Sequence, residues 1–204
     1  MASISRTIAR RASVVAGATF LSRILGFVRD VVIAFALGTG PLADAFFVAF
    51  RLPNLLRRLF AEGSLTMAFV PVFSRARERE GSEAAHAYAR SALVWLLIVV
   101  GLVVVAGILL ARPVAWIIAP GFGDDPELFD FTVRLIRICF PYILFISAVA
   151  LCMGILNSLG HFFAPAAAPC VLNIVLISAA LAGAASGVSI PVLLAWGVLL
   201  AGLG

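Results

Sequence analysis

The chain has 204 residues, of which 63% are hydrophobic and 12% are charged, and its formal net charge is +5. Soluble globular domains have about 45–50% apolar and about 25% charged residues, so this chain has too few polar side chains to cover its apolar surface in water. This composition excludes a soluble enzyme, a disordered chain and a small disulfide-rich domain, and it indicates a polytopic membrane protein.

The N-terminal segment, residues 1–14, is a short basic tail with three arginines. The apolar run that follows is interrupted by Arg23 and Arg29, so a cleaved signal peptide is not expected. Six membrane-spanning helices are predicted in the remainder, 15–204, which we interpret as one transmembrane lobe. The predicted spans lie at about 15–38, 43–73, 91–111, 131–157, 170–185 and 190–204.

The sequence defines some of these spans better than others. The segment 91–111 is the clearest, because its 21 residues hold no charge and are enough to cross a bilayer. The second span is expected to be broken or kinked near Pro53 and Gly63. Residues 112–130 are predicted to form a loop, because prolines, glycines and a cluster of acids interrupt the apolar pattern. The last span is short and has no closing basic anchor, so we expect this lobe to be the N-terminal part of a longer transporter.

The arginines outside the spans favour one orientation. Three lie in 1–14 and four lie within 74–90, and an alternating path places both segments on the same side of the membrane. The opposite side receives Arg112 and the acids of 124–130. By the positive-inside rule, the N-terminus and the end of the sixth span are therefore predicted to be cytoplasmic.

The first two spans differ from the others because they carry several charged side chains. An arginine at the centre of a bilayer costs about 2.5–3.5 kcal/mol, whereas an apolar Leu, Ile or Phe contributes only about 0.3–0.6 kcal/mol. Side chains with this cost must line a wet cavity, pair with acids or extend to the interfaces. The cations are Arg23, Arg29, Arg51, Arg57 and Arg58, and the acids are Asp30, Asp44 and Glu62.

The balance of these charges indicates an anionic ligand. Five arginines against three acids leave two cations without an intramembrane partner, and an unpaired buried cation is expensive. A cavity that receives an anionic substrate would remove that cost, and the planar guanidinium group suits phosphate oxygens. The alternative is structural: Arg29–Asp30 and Arg58–Glu62 could be ion pairs, and Arg57 and Arg58 could extend to the interface.

Helical spacing groups the polar residues into faces. Arg23 and Asp30 are seven residues apart and share a face of the first helix, whereas Arg29 points in another direction. Ser22 and Asn54 are predicted to add neutral hydrogen-bonding groups. In the second helix, one straight stripe would contain Asp44, Arg51, Arg58 and Glu62.

Other kinds of chemistry have little support in the sequence. His86 and His161 have no nucleophile beside them, so no catalytic triad is indicated. The three cysteines are widely spaced within apolar runs, so we expect no metal or redox site and no cofactor. The basic charge fits loops that face anionic lipid headgroups, and nucleic acid is not an expected partner because no basic stripe lies on a soluble domain.

Two sequence blocks in the first two spans resemble a known family. They are SRILGFVRD at 22–30 and DAFFVAFRLPNLLRRLFAEG at 44–63, the second continued by AFVP at 68–71. Both are similar to signatures of the MurJ/MviN family of lipid II flippases, in the multidrug/oligosaccharidyl-lipid/polysaccharide exporter superfamily. Weaker similarity occurs at 119–122, 140–144 and 155–157.

The resemblance implies an all-α fold in which this chain forms the N-terminal six-helix lobe of an exporter-type flippase, without the second lobe. It implies a transporter and not an enzyme. The implied substrate is lipid II, the undecaprenyl-pyrophosphate-linked peptidoglycan precursor, which moves from the cytoplasmic to the periplasmic leaflet of the bacterial inner membrane by alternating access. The implied partners are lipid II, membrane lipids and the missing C-terminal lobe, and other proteins of cell-wall synthesis are left open.

The resemblance also implies roles for individual residues. Arg23, Arg29 and Arg57 would bind the pyrophosphate, and Ser22 would contribute a hydroxyl group to the cavity. The residues of the cavity network or gate would be Asp44, Glu62, Arg58, Asp30, Arg51 and Asn54.

The residues by themselves predict a cationic cavity for an anionic ligand and leave the ligand open. An exporter of another lipid-linked oligosaccharide would keep such a cavity without needing the 44–63 block. A non-transporting membrane scaffold for cell-wall assembly would carry the same arginines in structural roles. An integral membrane enzyme, such as a lipid pyrophosphatase, would need a base or nucleophile beside the arginines, and the sequence shows none.

Overall fold

The computed structural model describes residues 2–57 and 65–203, and within them the side chains of 13–56 and 68–203. This described part consists of helices and connecting turns without strands, which confirms the all-α fold class. A 3-10 helix (Pro120–Phe122) lies between α5 and α6. The α-helices are α1 (Ala2–Leu37), α2 (Pro41–Arg57), α3 (Leu65–Glu80), α4 (Ser82–Leu109), α5 (Ala111–Ile118), α6 (Pro126–Cys139), α7 (Tyr142–Ser158), α8 (Phe163–Ser186) and α9 (Ile190–Ala201).

Several described helices can cross a membrane by length and composition. Three segments meet both criteria: Ser82–Leu109, Pro126–Ser158 and Phe163–Ser186. The second of these combines α6 and α7, and α9 is a shorter apolar helix. This pattern is that of a multi-pass membrane protein, and these helices overlap the predicted third to sixth spans. The total of six spans stays a prediction, because α1 contains three charged residues in its second half and because 58–64 lie outside the described residues.

The predicted second span, 43–73, corresponds to α2 and the first part of α3. α2 continues through Pro53, whose side chain is fully buried, so this proline does not end the helix. The predicted break near Gly63 lies outside the described residues. α3 then continues beyond residue 73 to Glu80.

The segment 112–130, predicted to be a loop, contains most of α5 and the beginning of α6. Pro113 is compatible with α5 because the N–H groups of a first helical turn have no intrahelical partner. Ala115 is fully buried, so α5 is stabilised by packing that the sequence pattern did not reveal. Asp125 caps α6, because its carboxylate accepts hydrogen bonds at 3.1 and 3.0 Å from two backbone N–H groups of the first turn.

α3 and α4 form a helical hairpin with a one-residue connection. That residue is Gly81, whose φ of 92° lies in the region that favours glycine. The ring of Phe69 stacks on those of Phe73 and Tyr88, with centroid distances of 5.6 and 5.4 Å. The contact between Phe69 and Tyr88 joins the two helices, whereas the contact between Phe69 and Phe73 lies within α3.

The core of the lobe takes buried side chains from all of the described α-helices, including Ile33 of α1 and Phe46 of α2. α1 packs mainly against α8, whereas α2 packs against α6, α7 and α9. α8 and α9 approach closely, since a Cβ atom added to Gly197 would lie 3.1 Å from the Cβ of Ala179. Fully buried core side chains include Leu135, Tyr142, Leu176, Leu194 and Val198.

Candidate functional site

The charged side chains in the second half of α1 point in two directions. Arg23 and Asp30 are exposed and, being seven residues apart, lie on the same flank of the helix. Arg29 is directed at α8, and only 21% of its side chain is exposed. The structure therefore brings Arg29 to a helix interface and leaves Arg23 on an open surface.

Arg29 is held by two neighbours. Its Nη1 donates a hydrogen bond of 2.9 Å to the Oδ1 atom of Asn173, from α8. Its Nε and Nη2 donate hydrogen bonds of 3.0 and 2.7 Å to one carboxylate oxygen of Asp30. Three of the five N–H groups of this guanidinium are engaged, which leaves two for a further acceptor.

Asn173 is the functional candidate that sequence reasoning missed. Only 4% of this residue is exposed. Its Nδ2 donates a hydrogen bond of 3.1 Å to the backbone carbonyl of Ser22, while its Oδ1 accepts from Arg29. One amide therefore ties α8 to two turns of α1 and fixes the direction of Arg29. The signal that could have indicated it is a lone amide side chain within the apolar run of a predicted span.

The exposed side of α2 carries one acid and one cation. Asp44 and Arg51 are both exposed and are seven residues apart, so they lie on one stripe. The opposite side of the helix is packed, with Phe46 and Ala49 buried in the core. Asn54 is partly buried on the same helix.

A cleft of about 570 Å³ lies between α2 and the corner formed by the end of α5 and the 3-10 helix. Asp44 and Arg51 line one wall together with apolar side chains of α2. The other wall is formed by Ile118, Ala119, Gly121 and Phe122. The cleft therefore has largely apolar walls with a carboxylate and a guanidinium group on one side.

The charges at these faces are not all matched. Within residues 13–56 and 68–203, no ion pair or side-chain hydrogen bond is formed by Arg23, Arg51 or Asp44. The predicted contributions of Arg57, Arg58 and Glu62 lie outside the described side chains. Within the described residues, no three His, Cys, Asp or Glu side chains come together in a way that could hold a metal ion.

The comparisons with known proteins agree in one family. The model of the family described as "Lipid II flippase MurJ" matches residues 33–203. The protein described as "Probable lipid II flippase MurJ" of Rhizobium tropici is 48% identical over 194 residues, which is 93% of this chain and 36% of the relative. The "Lipid II flippase MurJ" of Burkholderia cenocepacia is 42% identical over 193 residues, which is 93% of this chain and 37% of the relative.

A solved structure shows the same similarity. It is described as "Lipid II flippase MurJ, inward closed conformation", and it matches with a TM-score of 0.73 and 30% sequence identity. The match covers 93% of this chain and 40% of that chain. This chain therefore spans well under half the length of the relatives that it matches.

Proposed function

The chain belongs to the lipid II flippase MurJ family, and from that premise we propose that it forms one lobe of a transporter that moves lipid II across the bacterial inner membrane. The resemblance inferred from residues 22–30 and 44–63 is thereby confirmed. The direction proposed is from the cytoplasmic to the periplasmic leaflet, by alternating access, as a step of peptidoglycan and cell-wall synthesis. The chain would act as a transporter and not as an enzyme.

The observation that carries this proposal is the pair of uncovered, charged faces at the edge of the lobe. Arg23 on α1 and Arg51 on α2 have no ion-pair partner among the described residues, although both helices are packed against the lobe on their other sides. A cation held within the membrane without a partner is costly, and an anionic ligand removes that cost. Because arginine binds phosphate oxygens through two parallel hydrogen bonds, a pyrophosphate group is a suitable ligand.

We assign the pyrophosphate to Arg23, Arg29 and Arg57, with Ser22 beside them. Arg29 is supported by its geometry, because Asn173 and Asp30 hold the guanidinium in place and two of its N–H groups stay free for phosphate oxygens. The network or gate residues of this proposal are Asp44, Glu62, Arg58, Asp30, Arg51 and Asn54.

The charge of the segments outside the spans and the length of the relatives support the proposed orientation and the proposed second lobe. The arginines of 1–14 and of 74–90 support a cytoplasmic N-terminus. Since the relatives are more than twice as long as this chain, we propose that a second lobe supplies the opposite wall of the cavity. Membrane lipids surround the lobe, and other cell-wall synthesis proteins are further partners to test.

A structural role for the arginines is the second candidate. The hydrogen bonds of Arg29 to Asn173 and Asp30 favour it, because they tie α1 to α8 without any ligand. In a non-transporting scaffold, or in an exporter of another lipid-linked oligosaccharide, these contacts would be unchanged. The scaffold and the transporter therefore differ in what happens when the arginines of the proposed site are removed, whereas the oligosaccharide exporter differs in the lipid that is moved.

Complementation tests the proposal in bacteria depleted of their own lipid II flippase. The chain alone, and the chain with a second lobe supplied, are each compared with Arg23→Ala, Arg29→Ala and Arg57→Ala at matched membrane levels. We expect rescue only with the second lobe, and loss of rescue with each substitution. Arg79→Ala removes an exposed cation of α3 outside the predicted spans and should keep rescue.

The result that contradicts the proposal is equally clear. Rescue that survives all three substitutions would remove the proposed role of these arginines and leave them as structural residues. The oligosaccharide exporter would be favoured if the chain with a second lobe transfers another lipid-linked sugar, but not lipid II, in reconstituted vesicles.

A further inference from the structure

Helix α5 has an outer face that no other described helix covers. Ala111 and Ala115 are fully buried on its inner side, whereas Trp116 and Ile117 are 55% and 79% exposed on its outer side. Arg112 is exposed at the edge of the same face. At 100° per residue, the order around the outer face is Arg112, then Trp116, then Ile117, which runs from charged through amphipathic to apolar.

The charged edge of this face is fixed against α6. Nη1 of Arg112 donates a hydrogen bond of 2.8 Å to Oδ1 of Asp130, and the guanidinium carbon lies 5.4 Å from the ring centre of Phe129. The ring of Trp116 contacts the same Phe129 ring, at a centroid distance of 5.8 Å. The polar and aromatic side chains of α5 therefore have defined positions.

The apolar edge of α5 continues the exposed surface of α4. On α4, Leu102 and Leu109 are 67% and 72% exposed, and in a membrane-spanning helix such side chains face lipid. Only Leu110 separates the two helices. On the other side of α5, the chain continues into the exposed acids Asp124 and Asp125, which require water. α5 therefore lies between a lipid-facing helix and an aqueous loop.

We propose that α5 is an interfacial helix, which binds the boundary between headgroups and acyl chains in the leaflet at the C-terminal end of α4. Ile117 enters the acyl region, Trp116 lies at the boundary, and the Arg112–Asp130 pair faces water. The ligand is the zwitterionic phospholipid surface. The acids of 124–130 outnumber Arg112, so apolar burial, and not attraction to anionic lipid, holds the helix there.

This attachment has a direct consequence for the cleft beside α2. Ile118 at the end of α5, together with Ala119 and Phe122, forms one wall of that cleft. A helix held at the interface fixes the depth of this wall in the membrane. The inference depends only on a membrane-embedded lobe, so it is independent of the proposed substrate.

Spin-label accessibility tests the position of α5. The full protein, with its native cysteines replaced, receives one nitroxide label at Ile117→Cys and is reconstituted in vesicles of phosphatidylcholine and phosphatidylethanolamine. Collision rates with oxygen, which enters lipid, and with a nickel chelate, which stays in water, give the depth of the label. Matched controls are Leu102→Cys on α4, whose side chain is similarly exposed, and Asp124→Cys in the acidic loop.

We expect the label at 117 to be reached by oxygen more than the label at 124 and to lie about 10 Å shallower than the label at 102, which is seven residues before the end of α4. Adding anionic lipid should leave its depth unchanged. Access of the nickel chelate at 117 equal to that at 124 would overturn the proposal. A depth equal to that at 102, or a shift caused by anionic lipid, would overturn it as well, because each means a different mode of membrane binding.

Discussion

Helices α1 and α4 are both long enough to cross a bilayer, but they differ in the charge that their described side chains carry. α4 exposes apolar side chains along its outer side, so no polar group needs a partner there. The second half of α1 carries charges on two faces: Arg29 is bound by Asn173 and Asp30, whereas Arg23 has no ion pair among the described residues. The comparison indicates that the neighbouring helix decides whether an arginine of α1 is held in place, as Arg29 is, or has no ion-pair partner among the described residues, as Arg23 does.

The largest effect is expected when an arginine is placed on the helix that lacks partners for it. Val99 is exposed on α4, near the middle of its apolar stretch, so Val99→Arg creates a cation without the neighbours that Arg29 has. We expect a cost of about 2.5–3.5 kcal/mol in membrane insertion, measured as the inserted fraction by protease protection. Val99→Leu is the control, and normal insertion of Val99→Arg would break the comparison.

The next effect comes from removing the partner of Arg29. Asn173→Leu deletes the hydrogen bonds to the guanidinium of Arg29 and to the carbonyl of Ser22. We expect the free energy of unfolding in detergent to fall by about 2 kcal/mol, because hydrogen bonds to charged groups contribute about 1.5–3 kcal/mol. Asn157→Leu, at an exposed position of α7, should have little effect. If both variants unfold alike, Asn173 is not the residue that joins α1 to α8.

A smaller effect is expected from the carboxylate beside Arg29. The side chain of Asp30 is 68% exposed, so water screens its ion pair with Arg29. Asp30→Asn should lower the free energy of unfolding by less than about 1 kcal/mol, measured in the same detergent. A loss as large as that of Asn173→Leu would mean that the carboxylate, and not the amide, holds the guanidinium.

The smallest effect on stability is expected at the open arginines. Arg23→Ala and Arg51→Ala remove side chains without an ion-pair partner among the described residues, so the free energy of unfolding should stay within about 0.5 kcal/mol of the parent. Transport of lipid II in reconstituted vesicles should fall nonetheless, since an open cation is available to the substrate. A large loss of stability without a separate loss of transport would assign them structural roles.

Much of the helical architecture could be predicted from composition and residue spacing. The uncharged run within α4 identifies a spanning helix from composition alone, because bilayer thickness fixes the number of apolar residues needed. The seven-residue interval between Asp44 and Arg51 places them on one side of α2 for the same kind of reason, since helical geometry is local. Neither inference needs knowledge of which helices pack together.

The contacts of the site depended on packing that no local pattern contains. Arg29 and Asn173 are 144 residues apart in the sequence, so their hydrogen bond exists only once α1 and α8 are side by side. The pattern of 112–130 predicts a loop because prolines, glycines and acids interrupt its apolar residues, whereas burial of Ala115 stabilises α5 within that segment. The sequence does not indicate the second wall of the cleft, because that wall is formed by the end of α5 and the 3-10 helix.

The hairpin of α3 and α4 has a mechanical consequence. A helix of 28 residues is about 42 Å long, so α4 extends about 12 Å beyond a hydrocarbon layer of about 30 Å. The stacked rings of Phe69 and Tyr88 hold α3 against α4. The hairpin is thus a lever: a tilt of α4 by about 10° about the bilayer centre moves Gly81 by about 5 Å, enough for a distance probe at the turn to register.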